Sequence, residues 1–242
     1  MSKRGAADDS NVVGVTQQQR SDDLAELAAR LGAVGSFSRS GEVVHSWDFE
    51  NGLGPWGSPS EDEEGVQGID DTWTRSGSGA AYLEAAAKAG NLRFLHYEAP
   101  KMLTSNVGFE VQLSIGVETV RNEVWISAYT GTRLYRFKAN VEANGFGVLE
   151  YYAGGTWHEL AEPGLVGPSG PCFENLKLIV DVDAGEYVSL SLNGVEYDLG
   201  GVTADWETVI SRASIEFYVL VYATPDLVAY AWVDDVVITQ GE

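Results

Sequence analysis

Two segments alternate aliphatic side chains with aromatic and acidic ones. In 123–130, Val124, Ile126 and Ala128 alternate with Trp125 and Tyr129; in 213–223, Ile215, Phe217, Val219 and Val221 alternate with Glu216, Tyr218 and Tyr222. A period of two puts the aliphatic set on one face of a strand and the aromatic set on the other. If the two strands share a sheet, Trp125, Tyr129, Tyr218 and Tyr222 form an aromatic platform beside the Glu216 carboxylate. Such a surface suits stacking on sugar rings. The alternative is that loops, an N-terminal arm or another subunit cover this face. A sandwich also has two apolar faces, so inside and outside are interchangeable at this stage.

Other chemistry is sparse. The single Cys172 excludes an intrachain disulfide framework and a multi-Cys zinc site, and His45, His96 and His158 form no H-E-x-x-H pattern. His158, between Trp157 and Glu159 and next to Gly154-Gly155, reads as a solvated residue rather than a base. Ser/His/Asp partners assemble only in three dimensions and cannot be assigned by spacing. The expectation is a chain without catalytic activity.

The elements that must position the platform are strands. Alternation is clearest in Phe109, Val111, Leu113, Ile115 and Val117, with Glu110, Gln112 and Ser114 between them, which predicts a half-buried strand. Further strands are read at about 80–84, 92–97, 123–130, 133–141, 146–152, 174–182, 187–192, 195–199, 213–223 and 228–239. Asn193-Gly194, between two alternating segments, is the strongest hairpin signal; Asn144-Gly145 and Gly154-Gly155 mark other turns. Many strands and little helix in one body predict an all-β fold of two antiparallel sheets packed face to face.

Residues 1–46 differ from this body. They hold six acidic and five basic side chains against thirty and ten in 47–242, and none of the seven Trp. Within this arm Ser21 caps a helix of about 21–31, whose apolar stripe is Leu24, Leu27, Ala28 and Leu31 before Gly32. A helix that short is marginal alone, so its stripe must dock on its own body or on a neighbouring subunit.

The body resembles a known group. Trp47-Asp-Phe-Glu-Asn-Gly-Leu-Gly-Pro-Trp56 and Trp232-Val-Asp-Asp-Val-Val-Ile-Thr239 look like the first and last strands of lectin-like jelly rolls, the concanavalin, laminin-G and carbohydrate-binding-module group. Phe173 to Gly194 resembles the strand–hairpin–strand of laminin-G-like domains. The resemblance implies a jelly-roll sandwich and, in some members, a structural Ca²⁺ held here by Glu50 and Asp235. Without a metal those two are solvated or ion-paired turn residues. Glycosidases of this group place paired carboxylates as E-x-D-x-x-E, a spacing absent here.

The arm, from Leu24-Ala-Glu-Leu-Ala-Ala-Arg-Leu-Gly32 through Phe37-Ser-Arg-Ser-Gly-Glu-Val-Val44, resembles the opening of virion structural proteins from tailed phages and archaeal viruses. The charge points the same way. A formal net charge of −21, with five Lys against ten Arg, looks haloarchaeal and excludes binding driven by phosphate neutralisation. No apolar run spans a membrane and no signal-peptide core follows Met1. Together these predict a protein assembled in the host cytoplasm and displayed on the virion surface as a capsid turret, decoration or tail-associated subunit. Its expected partners are further copies of itself in a trimer or pentamer, the major capsid protein and host surface glycans. The alternative is a free carbohydrate-binding module.

Overall fold

In this computed structural model the described residues are 41–57, 65–88, 90–115, 121–142, 148–161 and 173–242. The expected helix at 21–31, with Leu24, Leu27, Ala28 and Leu31, lies outside them, as does Asn144-Gly145.

Among the described residues there is no helix, and the strands form two antiparallel sheets. The first sheet contains β1 (Glu42–Trp47), β2 (Gly65–Asp70), β3 (Ala80–Ala85), β5 (Asn106–Ile115), β10 (Phe173–Asp181), β11 (Glu186–Leu192), β12 (Val195–Asp198) and β15 (Ala229–Gln240). Its order is β12-β11-β10-β5-β15-β3-β2, with β1 on the second half of β15. The second sheet contains β4 (Leu92–Pro100), β6 (Arg121–Tyr129), β7 (Arg133–Glu142), β8 (Val148–Ala153), β9 (Thr156–Ala161), β13 (Asp205–Thr208) and β14 (Ser214–Tyr222). Its order is β4-β14-β6-β7-β8-β9, with β13 on the first half of β7. β1 starts ahead of the boundary drawn after residue 46, because Glu42 and Val43 already pair with β15, and a bulge at Val44 separates them from the pairing of His45 to Trp47.

The core lies between the sheets. Phe109 of the first meets Phe217 of the second edge-on, ring centroids 5.3 Å apart, and Trp56 stacks on Phe109 at 6.0 Å. All three are fully buried; removing such a ring from water contributes about 1.5–3 kcal/mol. At the hairpin of β11 and β12, Asn193 (φ 52°) and Gly194 (φ 80°) both take the left-handed conformation that a two-residue type I′ turn requires.

One expectation is corrected. β5 is not half-buried: Glu110, Gln112 and Ser114, on the face away from the core, are 3%, 1% and 1% exposed. β5 is central, between β10 and β15, and the Asn175 amide donates to Glu110 Oε1 at 2.9 Å. Alternation identified the strand but not its position in the sheet.

β7 changes partner along its length, pairing with β13 through Arg136 and with β8 from Ala139. The backbone between is completed from the other sheet. Tyr187 of β11 crosses the core, and its hydroxyl accepts from the Lys138 N–H at 2.8 Å while lying 2.7 Å from the Tyr152 carbonyl, to which it donates. Tyr187 is 1% exposed and packs edge-on against Phe137. Tyr187→Phe keeps the ring but orphans a buried N–H and a carbonyl, and should cost about 1–3 kcal/mol. Urea unfolding measures this; an unchanged midpoint would show that water replaces the hydroxyl.

Candidate functional site

The face of the second sheet that points away from the core carries the aromatic residues. Val124, Ile126, Phe217, Val219 and Val221 are fully buried between the sheets, which leaves Trp125 on β6 and Glu216, Tyr218 and Tyr222 on β14 on the opposite side. β6 and β14 are neighbours, and Tyr218 stands directly opposite Trp125, ring centroids 6.0 Å apart. The Tyr218 hydroxyl donates to Glu216 Oε2 at 2.6 Å, and the Tyr129 hydroxyl reaches the same oxygen at 3.3 Å. Burial, reinforced by Glu216, pushes both phenols above their usual range, so they act as donors rather than phenolates. Tyr222 shares the face but sits opposite Arg121 and Leu92, beyond this group.

The row is longer than the sequence indicated. His96 on β4 pairs with Tyr218, and Lys138 on β7 with Trp125, so His96, Tyr218, Trp125 and Lys138 stand in register on four adjacent strands. The His96 ring lies 4.7 Å from that of Tyr218. Lys138 Nζ lies 4.0 Å above the Trp125 ring and 4.9 Å from the Tyr152 ring. Tyr152 then meets Trp157 across the β8–β9 hairpin at 5.1 Å, with the Arg121 guanidinium 4.8 Å from the Trp157 ring. Six strands at about 4.8 Å spacing make a row of about 24 Å. Sequence offered a partial signal: Lys138 alternates with Phe137 and Ala139, and a two-residue Gly154-Gly155 turn pairs Tyr152 with Trp157. His158 is exposed on β9, stacked on Tyr151 at 5.0 Å and away from the row.

Carboxylates flank the row, held by specific donors. Glu123, 3% exposed, accepts from the Trp125 indole N–H at 2.5 Å and lies 3.6 Å from Arg121. Burial still outweighs these contacts and raises its carboxyl pKa. Glu98, opposite Glu216, pairs with Arg212 at 2.6 Å, which holds its pKa below the usual range.

Glu50 and Asp235 both meet the loop formed by residues 75–79, at different places. Glu50 accepts from Ser78 N–H (2.6 Å), Ser78 Oγ (2.8 Å) and Gly79 N–H (3.1 Å), contacts that lower its pKa. Gly77 (φ 60°) is required there, since a Cβ would fall 1.9 Å from Glu50 Oε1. Asp234 accepts from the Arg75 and Ser76 N–H groups, and Asp235 Oδ1 from Ser76 Oγ at 3.1 Å. Asp235 Oδ2 is buried without a hydrogen-bond partner among the described residues, and burial beside Asp234 pushes the Asp235 carboxyl up to about 7. That oxygen is left open, whereas the Glu50 oxygens already accept from donors. Among the described residues no three His, Cys, Asp or Glu side chains are grouped as metal ligands.

No protein-family profile matches the chain, and no curated protein sequence matches it. Solved structures do. An endo-β-1,4-glucuronan lyase from the fungus Trichoderma reesei superposes with a TM-score of 0.56 at 11% identity, over 82% of this chain and 96% of that one. The cellulose-induced protein Cip1 gives 0.52 at 17% identity, over 81% and 96%. A carbohydrate esterase from the Shiga toxin-encoding bacteriophage phi24B gives 0.51 at 11% identity, over 84% and 100%. At these identities the likeness shows the fold, a β-sandwich of the jelly-roll kind. It also overturns the expectation that the chain is not an enzyme, since a lyase and an esterase share this architecture. That expectation rested on motifs read by spacing along the chain, whereas this face gathers its titratable groups from several strands.

Proposed function

We propose that this chain is a glycan-recognising β-sandwich whose ligand lies across the outer face of the second sheet, stacked on Tyr218 and Trp125. The observation that carries the reading is the half-exposed pair itself, each ring tethered to a carboxylate through its own polar atom: Tyr218 to Glu216 and Trp125 to Glu123. Rings fixed in this way lose little side-chain freedom on binding. The names of the structural neighbours, which refer to glucuronan, cellulose and carbohydrate esters, support a saccharide ligand. Trp125→Ala and Tyr218→Ala should each weaken oligosaccharide binding by roughly tenfold or more with the fold intact. Calorimetric titration with cello-, laminari-, chito- and uronate oligosaccharides checks this; wild-type affinity in both variants would refute it. Chromatography of the incubated oligosaccharide reads whether the face also turns its ligand over.

We further propose that the sandwich is displayed on a virion by its arm, as part of a trimer or pentamer contacting the major capsid protein. The near-neutral charge of residues 1–46 beside a strongly acidic body, and the Leu24, Leu27, Ala28, Leu31 stripe, support this reading. Light scattering in multimolar KCl tests it on the full chain and on one beginning at Gly41, which keeps β1. The expected result is a closed oligomer that becomes a folded monomer on truncation; a full chain that is itself a monomer removes the homo-oligomer.

The unpartnered Asp235 Oδ2 supports a structural Ca²⁺ at the junction of the 75–79 loop and β15. Millimolar Ca²⁺ should then raise the thermal midpoint relative to EGTA, and Asp235→Asn should abolish the rise. An identical midpoint in both buffers would exclude the ion.

A further inference from the structure

We propose that the ligand of this face carries carboxylates, as a uronic-acid glycan does, and that Lys138 receives one of them. The inference rests on the glycan-binding reading and narrows it to a substrate class.

The chain has 36 acidic and 15 basic side chains, so a lysine surrounded by carboxylates is the ordinary expectation. Lys101, Arg121, Arg136, Lys177 and Arg212 each hold one. Lys138 does not. Its ammonium stands half-buried between the Trp125 and Tyr152 rings, and no carboxylate of the described residues lies within ion-pair distance. Glu123 exerts the strongest attraction on it, but that carboxylate is turned to the Trp125 indole N–H and to Arg121. Burial lowers the Lys138 pKa, as expected for a cation whose lost hydration is replaced only by aromatic faces. A counter-ion supplied from outside would restore what desolvation removes.

The location selects the ligand. Lys138 lies over Trp125 and Tyr152, so a sugar ring seated beside either one brings a ring substituent toward Nζ. Arg121 and Arg136 lie on the same side of β6 and β7, but each is already paired, with Glu123 and Glu207, so the Lys138 ammonium is the cation left for a ligand at the centre of the row. The overall charge of −21 opposes an acidic ligand at long range. At physiological salt, however, a Debye length of about 8 Å leaves contact pairing to decide.

The test uses the full chain and oligomers of galacturonate, glucuronate and mannuronate, each as the free acid and as its methyl ester, beside neutral cello- and laminari-oligosaccharides. The ester keeps the ring and removes the charge. The expected result is that an acid binds at least tenfold more tightly than its own ester, that Lys138→Met lowers acid affinity more than ester affinity and so erases the difference, and that Lys138→Arg restores it. Equal binding of acid and ester, or a preference that survives Lys138→Met, overturns the inference. Tight binding of neutral oligosaccharides without acid preference sinks this inference alone. Failure of every probe sinks the glycan reading with it.

Discussion

The arrangement of this face follows from one constraint, the inward placement of Ile126 and Phe217 on two adjacent strands. Side chains in a strand alternate, so committing these two residues to the core commits Trp125 and Tyr218 to the other side. The register of β6 against β14 then sets them opposite each other. A slip of one residue would bury the tyrosines and expose Phe217, so the apolar core enforces the geometry of the polar face. Phe109, Trp56 and Phe217, packed between the sheets, make that slip costly.

The polar groups on this face hold one another. Glu216 orients two phenols, Glu123 an indole, and Arg212 restrains Glu98. Each carboxylate is thereby partly satisfied, whereas among the described residues Lys138 is in contact with aromatic faces and with no carboxylate at ion-pair distance. The row is therefore not uniform in charge. Its β4 and β14 end is acidic, and its centre presents a cation.

Much of this was legible in the residues. The alternation in 123–130 and 213–223 identified which aromatics leave the core, and Asn193-Gly194 identified a hairpin, because both signals are local. What was not legible depends on which strands become neighbours. His96, Lys138, Tyr152 and Trp157 join the row through pairings among β4, β6, β7, β8, β9 and β14 that no short spacing records. The burial of Glu110 and Gln112 has the same origin, since a central strand and an edge strand can share one alternation. The expectation of no catalysis had a related limit: motifs are sought by spacing within a short segment, whereas a sheet brings side chains of several strands together.

Tyr187 links the two halves of the molecule in a way that bears on exchange with solvent. Its hydroxyl comes from the first sheet, yet it completes the backbone of β7 and β8 directly beneath Lys138 and Tyr152. The Lys138 amide proton is therefore released only when the sheets separate and not when the outer strands fray. The centre of the aromatic face is thereby tied to the opposite sheet, and the backbone beneath its side chains is held from both layers of the sandwich.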